Sequence, residues 1–229
     1  MLGAQKFLEA VKEGDLARVK QMLTIESDLA NARAEAGPSA VMLAVYHGRT
    51  EIRDLLIERG AKLDIHEASA AGKSERVAAL AGQNPEAINS FAADGFAPLA
   101  LAAFFGHRDL VDWLLGQGAE VNAISKNATG YTALSGAVAR GDAEITRLLL
   151  SRGANARHRY GPGCSPLHEA AAGGKLEIVK LLITHGADPN APNDEGQTPL
   201  TMADAKGQSE TAAFLRAHGA KAKAEGTST

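Results

Sequence analysis

Apolar residues recur at i, i+3 and i+4 through short segments of this chain, as in Ile52, Leu55 and Leu56 or Leu110, Trp113 and Leu114. Each such stripe predicts a helix with one buried face. The stripes end at a recurring pair, Gly60-Ala61, Gly118-Ala119, Gly153-Ala154, Gly186-Ala187 and Gly219-Ala220, with steps of 58, 35, 33 and 33 residues. A period of that size suits two helices and a turn. Such a unit cannot bury its apolar face alone, so the pattern predicts an array in which neighbouring units supply the core.

A second, shorter helix is predicted ahead of each stripe. It opens at Ser39-Ala40, Ala97-Pro98, Thr132-Ala133, Ser165-Pro166 and Thr198-Pro199, and closes at Gly48, Gly106, Gly141, Gly174 and Gly207. Proline at the first helical position loses no hydrogen bond, the preceding Ser or Thr can cap the helix, and glycine tolerates the left-handed conformation at its end.

The segment Ser165-Pro166-Leu167-His168-Glu169-Ala170, followed by Gly174, by Leu176-Glu177-Ile178-Val179-Lys180-Leu181-Leu182 and by Gly186-Ala187-Asp188-Pro189-Asn190, closely resembles the ankyrin repeat. The same motif is legible at Ser39-Ala40-Val41-Met42, Ala97-Pro98-Leu99-Ala100, Thr132-Ala133-Leu134-Ser135 and Thr198-Pro199-Leu200-Thr201. The resemblance implies an all-α fold with short β-hairpin loops, an ankyrin-repeat solenoid of antiparallel helix pairs.

Two units depart from the pattern. Shifting the chain by 58 positions overlays Glu9-Ala10 on Glu67-Ala68, Gly14 on Gly72, Asn31 on Asn89 and Gly48 on Gly106 without a gap, as after duplication of a two-unit block. In both copies the first member lacks a hairpin before its helix pair and has a longer exit loop. A single array over residues 1–220 is expected, with units near 4–34, 35–64, 65–90, 91–122, 123–157, 158–190 and 191–220, and residues 221–229 form a polar tail expected to be disordered. Polar residues in the outer units fit their role as caps, and no further domain is expected. The hairpins entering the fifth and sixth units, Asn122 to Gly130 and Asn155 to Gly163, are each two residues longer than the last, which predicts extended tips.

Composition narrows the function. Apolar residues make up 45% of the chain and aromatics 4%, so aliphatic residues and alanine build the core and any aromatic cluster stands out. A net charge of −3 offers no excess of cations for nucleic acid or an anionic membrane. Charges at Lys6, Glu9, Lys12, Glu13 and Asp15 interrupt any signal-peptide core, and the longest apolar stretch, around Phe96 to Phe105, is too short to span a bilayer. A cytoplasmic location is expected, and a lone Cys164 fits a reducing compartment.

Cys164, His168 and His158 invite a thiol or metal site, yet no spacing completes one, and the resemblance gives His168 the role of tying neighbouring hairpins together. His66 with Glu67 falls on the same register and reads as architecture. No cofactor is expected. The resemblance instead implies protein binding through a concave groove lined by the hairpin tips and the exposed ends of the first helices. Carried over position by position, it selects Tyr46 and His47 in the second unit, Phe91, Asp94, Phe96, Phe104 and Phe105 in the fourth, and Tyr131 and Arg140 in the fifth. Four of the six phenylalanines are thus expected to be exposed around a notch floored by Ala70 and Ala71. Toward the C-terminal end the same lane turns polar, with Lys126, Arg157, Arg159, Asp194, Glu195 and Lys206. The expected function is a non-catalytic adaptor, monomeric, that captures another protein. A homo-oligomerising scaffold and a metal- or thiol-dependent enzyme or sensor are the alternatives.

Overall fold

Each short first helix is shaped by its two ends. Ser39, Asp64, Thr132 and Thr198 accept the N–H three residues on, which satisfies one of the amides a helix start leaves unpaired. At the other end, glycines such as Gly106 and Gly141 take positive φ, and the next residue folds its N–H back, as Asp142 does to the Ala137 carbonyl at 3.0 Å. The second helices finish by the same device. Gly118 and Gly153 are left-handed, and the following Ala119 and Ala154 donate to the carbonyls of Leu114 and Leu149, both at 3.0 Å. Gly-Ala therefore recurs because the first residue must bend the chain and the second must fit, nearly buried, under the helix end.

The computed structural model describes residues 2–35 and 37–222, and the expected tail from residue 223 onward lies outside them. Packing divides the chain into two units, Met1–Ala87 and Ile88–Thr229. The first holds α1 (Leu2–Glu13), α2 (Leu16–Ile25), α3 (Ala40–Tyr46), α4 (Thr50–Glu58), α5 (Ile65–Ala70) and α6 (Ser74–Gln83). The second holds α7 (Pro98–Phe105), α8 (Arg108–Gly116), α9 (Ala133–Arg140), α10 (Ala143–Ser151), α11 (Pro166–Ala172), α12 (Leu176–Thr184), α13 (Pro199–Ala205) and α14 (Ser209–Ala217).

Within each unit successive pairs stack first helix on first helix and second on second: α1 on α3 and α3 on α5, then α7 on α9, α9 on α11 and α11 on α13. The first helices approach closely because alanines face their neighbours. Ala102, Ala103, Ala137, Ala170, Ala171 and Ala203 are fully buried, while Leu110, Leu114, Ile145, Leu149, Ile178 and Leu182 fill the layer beneath the second helices. The two longer exit loops are 3-10 turns, Ser27–Asn31 and Pro85–Asn89, in the register of the 58-residue duplication. Sequence periodicity misses them because a 3-10 turn has no apolar stripe of its own.

The hairpins are tight turns, and among the described residues only two isolated bridges, Arg33 with Ser39 and Tyr160 with Cys164, are sheet-like. The expectation about extra length is corrected for the sixth pair. There the turn closes between Tyr160 and Cys164, the same span as Asn193 to Gln197, so the two added residues lie at the base rather than the tip. In the fifth the tip does lengthen, from Ser125 to Tyr131, and it is spent on the preceding hairpin: Lys126 N–H donates to Gly95 O at 2.9 Å and Asn127 Nδ2 to Asp94 O at 2.7 Å.

Gly95 and Gly118 are both left-handed, at φ of 87° and 86°, but a side chain meets different surroundings at each. A Cβ on Gly118 touches nothing within 4 Å, whereas one on Gly95 stands 2.8 Å from Asn127 N. Gly118→Ala is therefore expected to lower stability by about 1–2 kcal/mol from backbone strain alone. Gly95→Ala should lower it further, because the Asn127 backbone must also shift. Urea denaturation of the two variants checks the order.

Candidate protein-interaction surface

The exposed ends of the first helices and the hairpin tips contain all the residues selected from the sequence, though not equally open. In the first unit Tyr46, 40% exposed, and His47 end α3. In the second, Phe104 is 43% exposed on the last turn of α7, and Phe105 packs edge-on against it, ring centroids 5.1 Å apart. Arg140 and Asp94 are exposed.

The expectation of four exposed phenylalanines is corrected: Phe91, Phe96 and Phe105 are half-buried. Phe91 is covered by the Lys126 ammonium, 4.2 Å from the ring centroid, and Phe105 by Phe104. Phe96 closes its own turn by accepting the Ala92 N–H, while Asp94 accepts the Phe96 N–H. The supposed floor is corrected as well, because Ala70 and Ala71 are buried at 1% and 5% exposure.

Tyr131 is half-buried edge-on against Tyr160, centroids 4.9 Å apart. Tyr160 has no counterpart in the sequence expectations. It is 6% exposed and donates its hydroxyl to Glu169 Oε2 at 2.6 Å, and burial together with the neighbouring carboxylate holds the phenol well above its ordinary pKa. The equivalent hairpin position in the last pair is Asn193, so no motif marks the tyrosine.

Several charged groups in the lane are committed to the fold. Arg159 pairs with Asp194 at 2.7 Å and donates to Gly163 O, and Arg157 Nε binds Gly186 O. Lys175 Nζ donates to Val138 O and Ala139 O, at 2.7 and 2.9 Å, at the negative end of α9. Arg140 runs beside Gly106 at the corresponding end of α7, with only a distant 4.0 Å approach to Asp142.

The groups with catalytic potential are engaged similarly. His168 is buried; its Nδ1 accepts the Ser165 backbone N–H, which leaves the proton on Nε2 to reach Gln197 O at 3.1 Å, so the residue ties its pair to the next hairpin. In the first unit Glu67, also buried, accepts the Asp64 N–H and pairs with Arg33 at 2.7 Å. Among the described residues no three His, Cys, Asp or Glu side chains gather to hold a metal, and no helix is long and apolar enough to cross a membrane.

Capped helix pairs, left-handed glycines, a histidine linking hairpins and stacked alanine faces define a helical repeat protein. The model of the family "Ankyrin repeats (3 copies)" matches residues 7–125, 65–160 and 134–225, and this chain belongs to the ankyrin-repeat family. It is 36% identical over 110 residues to mouse "Ankyrin repeat and SAM domain-containing protein 6", covering 48% of this chain and 12% of that protein. It is 30% identical over 157 residues to "Target of rapamycin complex 2 subunit AVO2" of Saccharomyces cerevisiae, covering 63% of this chain and 36% of that one. The chain thus spans a minor part of these relatives, one of which is a subunit of a complex. Ankyrin repeats are protein-interaction modules, and the relatives' names carry no enzymatic activity.

Burial pulls the His168 pKa below the ordinary imidazole value of about 6.5, against the bond to Gln197 O, which favours the charged form. The neutral ring is favoured in the folded state, so its contribution is complete above the unfolded pKa and is lost as pH falls from there through the lowered folded pKa. Stability is expected to decline on acidification below about pH 6.5, and His168→Gln should flatten that limb. Thermal melting across pH measures both.

Proposed function

We propose that this chain is a non-catalytic adaptor that binds a partner protein through the ends of its first helices, with the hairpin tips beside them. The observation that carries the reading is Phe104, a large apolar side chain left 43% exposed at the end of α7, whereas Phe91, Phe96, Phe105 and Tyr131 beside it in the second unit are half-buried. A ring held open on a rigid helix suits an anchor, because it loses little freedom on binding and its burial is favourable. The chemistry-bearing alternatives are weakened by the fixed roles of His168 and Glu67. A single cysteine fits a reducing compartment such as the cytoplasm.

The test begins with partners captured from native cells and identified by mass spectrometry, followed by titration calorimetry with the purified partner. Phe104→Ala is expected to weaken binding by about 2 kcal/mol, roughly thirtyfold, with stability lowered by about 1 kcal/mol through loss of the edge-on contact to Phe105. Cys164→Ser should leave affinity unchanged. Binding that is indifferent to Phe104→Ala would sink the assignment of the surface on the second unit, and indifference to Tyr46→Ala that of the first.

A further inference from the structure

We infer that the adjoining ends of α7 and α9, at Phe104 and Arg140, take an acidic segment of a partner protein, one in which an apolar side chain lies beside a carboxylate. This rests on the adaptor reading above and specifies the chemistry of the occupant. Three observations on the second unit lead to it.

The first is how closely the two helices meet. Gly136 is buried on α9, and a Cβ there stands 3.3 Å from Phe104 Cβ and 3.5 Å from its Cα. With no side chain at Gly136, the base of Phe104 rests directly on α9. Arg140 lies one turn further along the same face of α9, and its guanidinium runs back beside Gly106, the cap of α7. An apolar ring and a cation therefore adjoin at the ends of two rigid helices.

The second is the charge of this row. The residues just ahead of the glycines at 106, 141, 174 and 207 are Phe105, Arg140, Gly173 and Lys206. Two are cations and none is a carboxylate, in a chain whose net charge is −3. The positive row thus runs against the overall composition, which makes it complementary to an acidic ligand.

The third is that nearby carboxylates are turned to other uses. Glu169 accepts from Tyr160, Asp204 pairs with Arg216 at 2.7 Å, and Asp194 pairs with Arg159. Asp142 approaches Arg140 only at 4.0 Å. An incoming carboxylate meets guanidinium donors with little competition, while the neighbouring apolar side chain covers the open face of Phe104. A basic segment would leave Arg140 facing like charge.

The experiment is selection of a random dodecapeptide library on the full chain. Enriched peptides are then synthesised and titrated by fluorescence anisotropy against the native chain, Phe104→Ala, Arg140→Gln and Arg140→Glu, with circular dichroism melting as the folding control. The expected result is enrichment of Asp or Glu next to Leu, Ile or Phe. Affinity should fall about tenfold or more for Phe104→Ala and for Arg140→Glu, and less for Arg140→Gln. Peptides poor in acids that still depend on Phe104 overturn the acidic occupant and leave the proposed binding surface in place. Peptides indifferent to Phe104→Ala overturn both readings, and absence of any enrichment overturns the inference. Sedimentation that shows a dimer dissolved by Phe104→Ala overturns it in favour of a second copy of the chain. Should Phe104→Ala fail to fold, the charge-reversed and neutral variants of the exposed Arg140 decide alone.

Discussion

An asparagine that grips the backbone of the following pair at two points sets the spacing on which the rest of the molecule depends. Asn122 donates from Nδ2 to Gly153 O at 3.1 Å and accepts the Asn155 N–H on Oδ1 at 2.8 Å. Asn89 does the same with Gly118 O and the Glu120 N–H, and Asn190 with Gly219 O and the Lys221 N–H. In the first unit Asn31 holds the Lys62 N–H. Helix ends leave backbone groups without intrahelical partners, and here the preceding pair supplies them. A helix pair on its own would expose both these groups and its alanine face. The sixth pair shows the constraint by its exception: with two residues added at the base of its hairpin, Asn155 caps the Arg157 N–H, and Arg157 Nε takes over the contact to Gly186 O.

The same economy governs the cations. Arg49 reaches Lys12 O at 3.2 Å, Lys175 reaches two carbonyls of α9, and Arg140 lies beside the end of α7. A positive group one pair further on thus answers the partial negative charge of the preceding first helix. Because that end is also the exposed rim, residues serving the fold and residues open to a ligand share one row. Lys175 is drawn into the fold by two hydrogen bonds, whereas Arg140 keeps most of its donors at the surface.

The fold was largely legible in the chain because its signals are local. A capping Thr132 or Thr198, a proline at Pro166 or Pro199 and a left-handed Gly153 each act within a few residues of themselves, and their recurrence fixes the period. Side-chain exposure was less legible because it depends on neighbours far along the sequence. Phe91 is covered by a lysine 35 positions later. Tyr160, on a register held by a polar residue in the final pair, becomes buried by virtue of Tyr131 and Glu169. The extra residues before Gly130 and Gly163 look equivalent in sequence, yet one pair lengthens a tip and the other a base, because only the hydrogen bonds decide where a turn closes.

The asparagine bridge carries one more consequence. Its donor and acceptor sites on the receiving pair are main-chain atoms, the Asn155 amide and the Gly153 carbonyl, which any residue but proline supplies at the first and any residue at the second. Only the giving pair has to keep a particular side chain. Mutation can therefore rewrite a hairpin on the receiving side without breaking the joint that seats it. Inheritance of the joint is separated from inheritance of the surface, and a two-unit block such as the one repeated at 58 residues can be copied first and diversified afterwards.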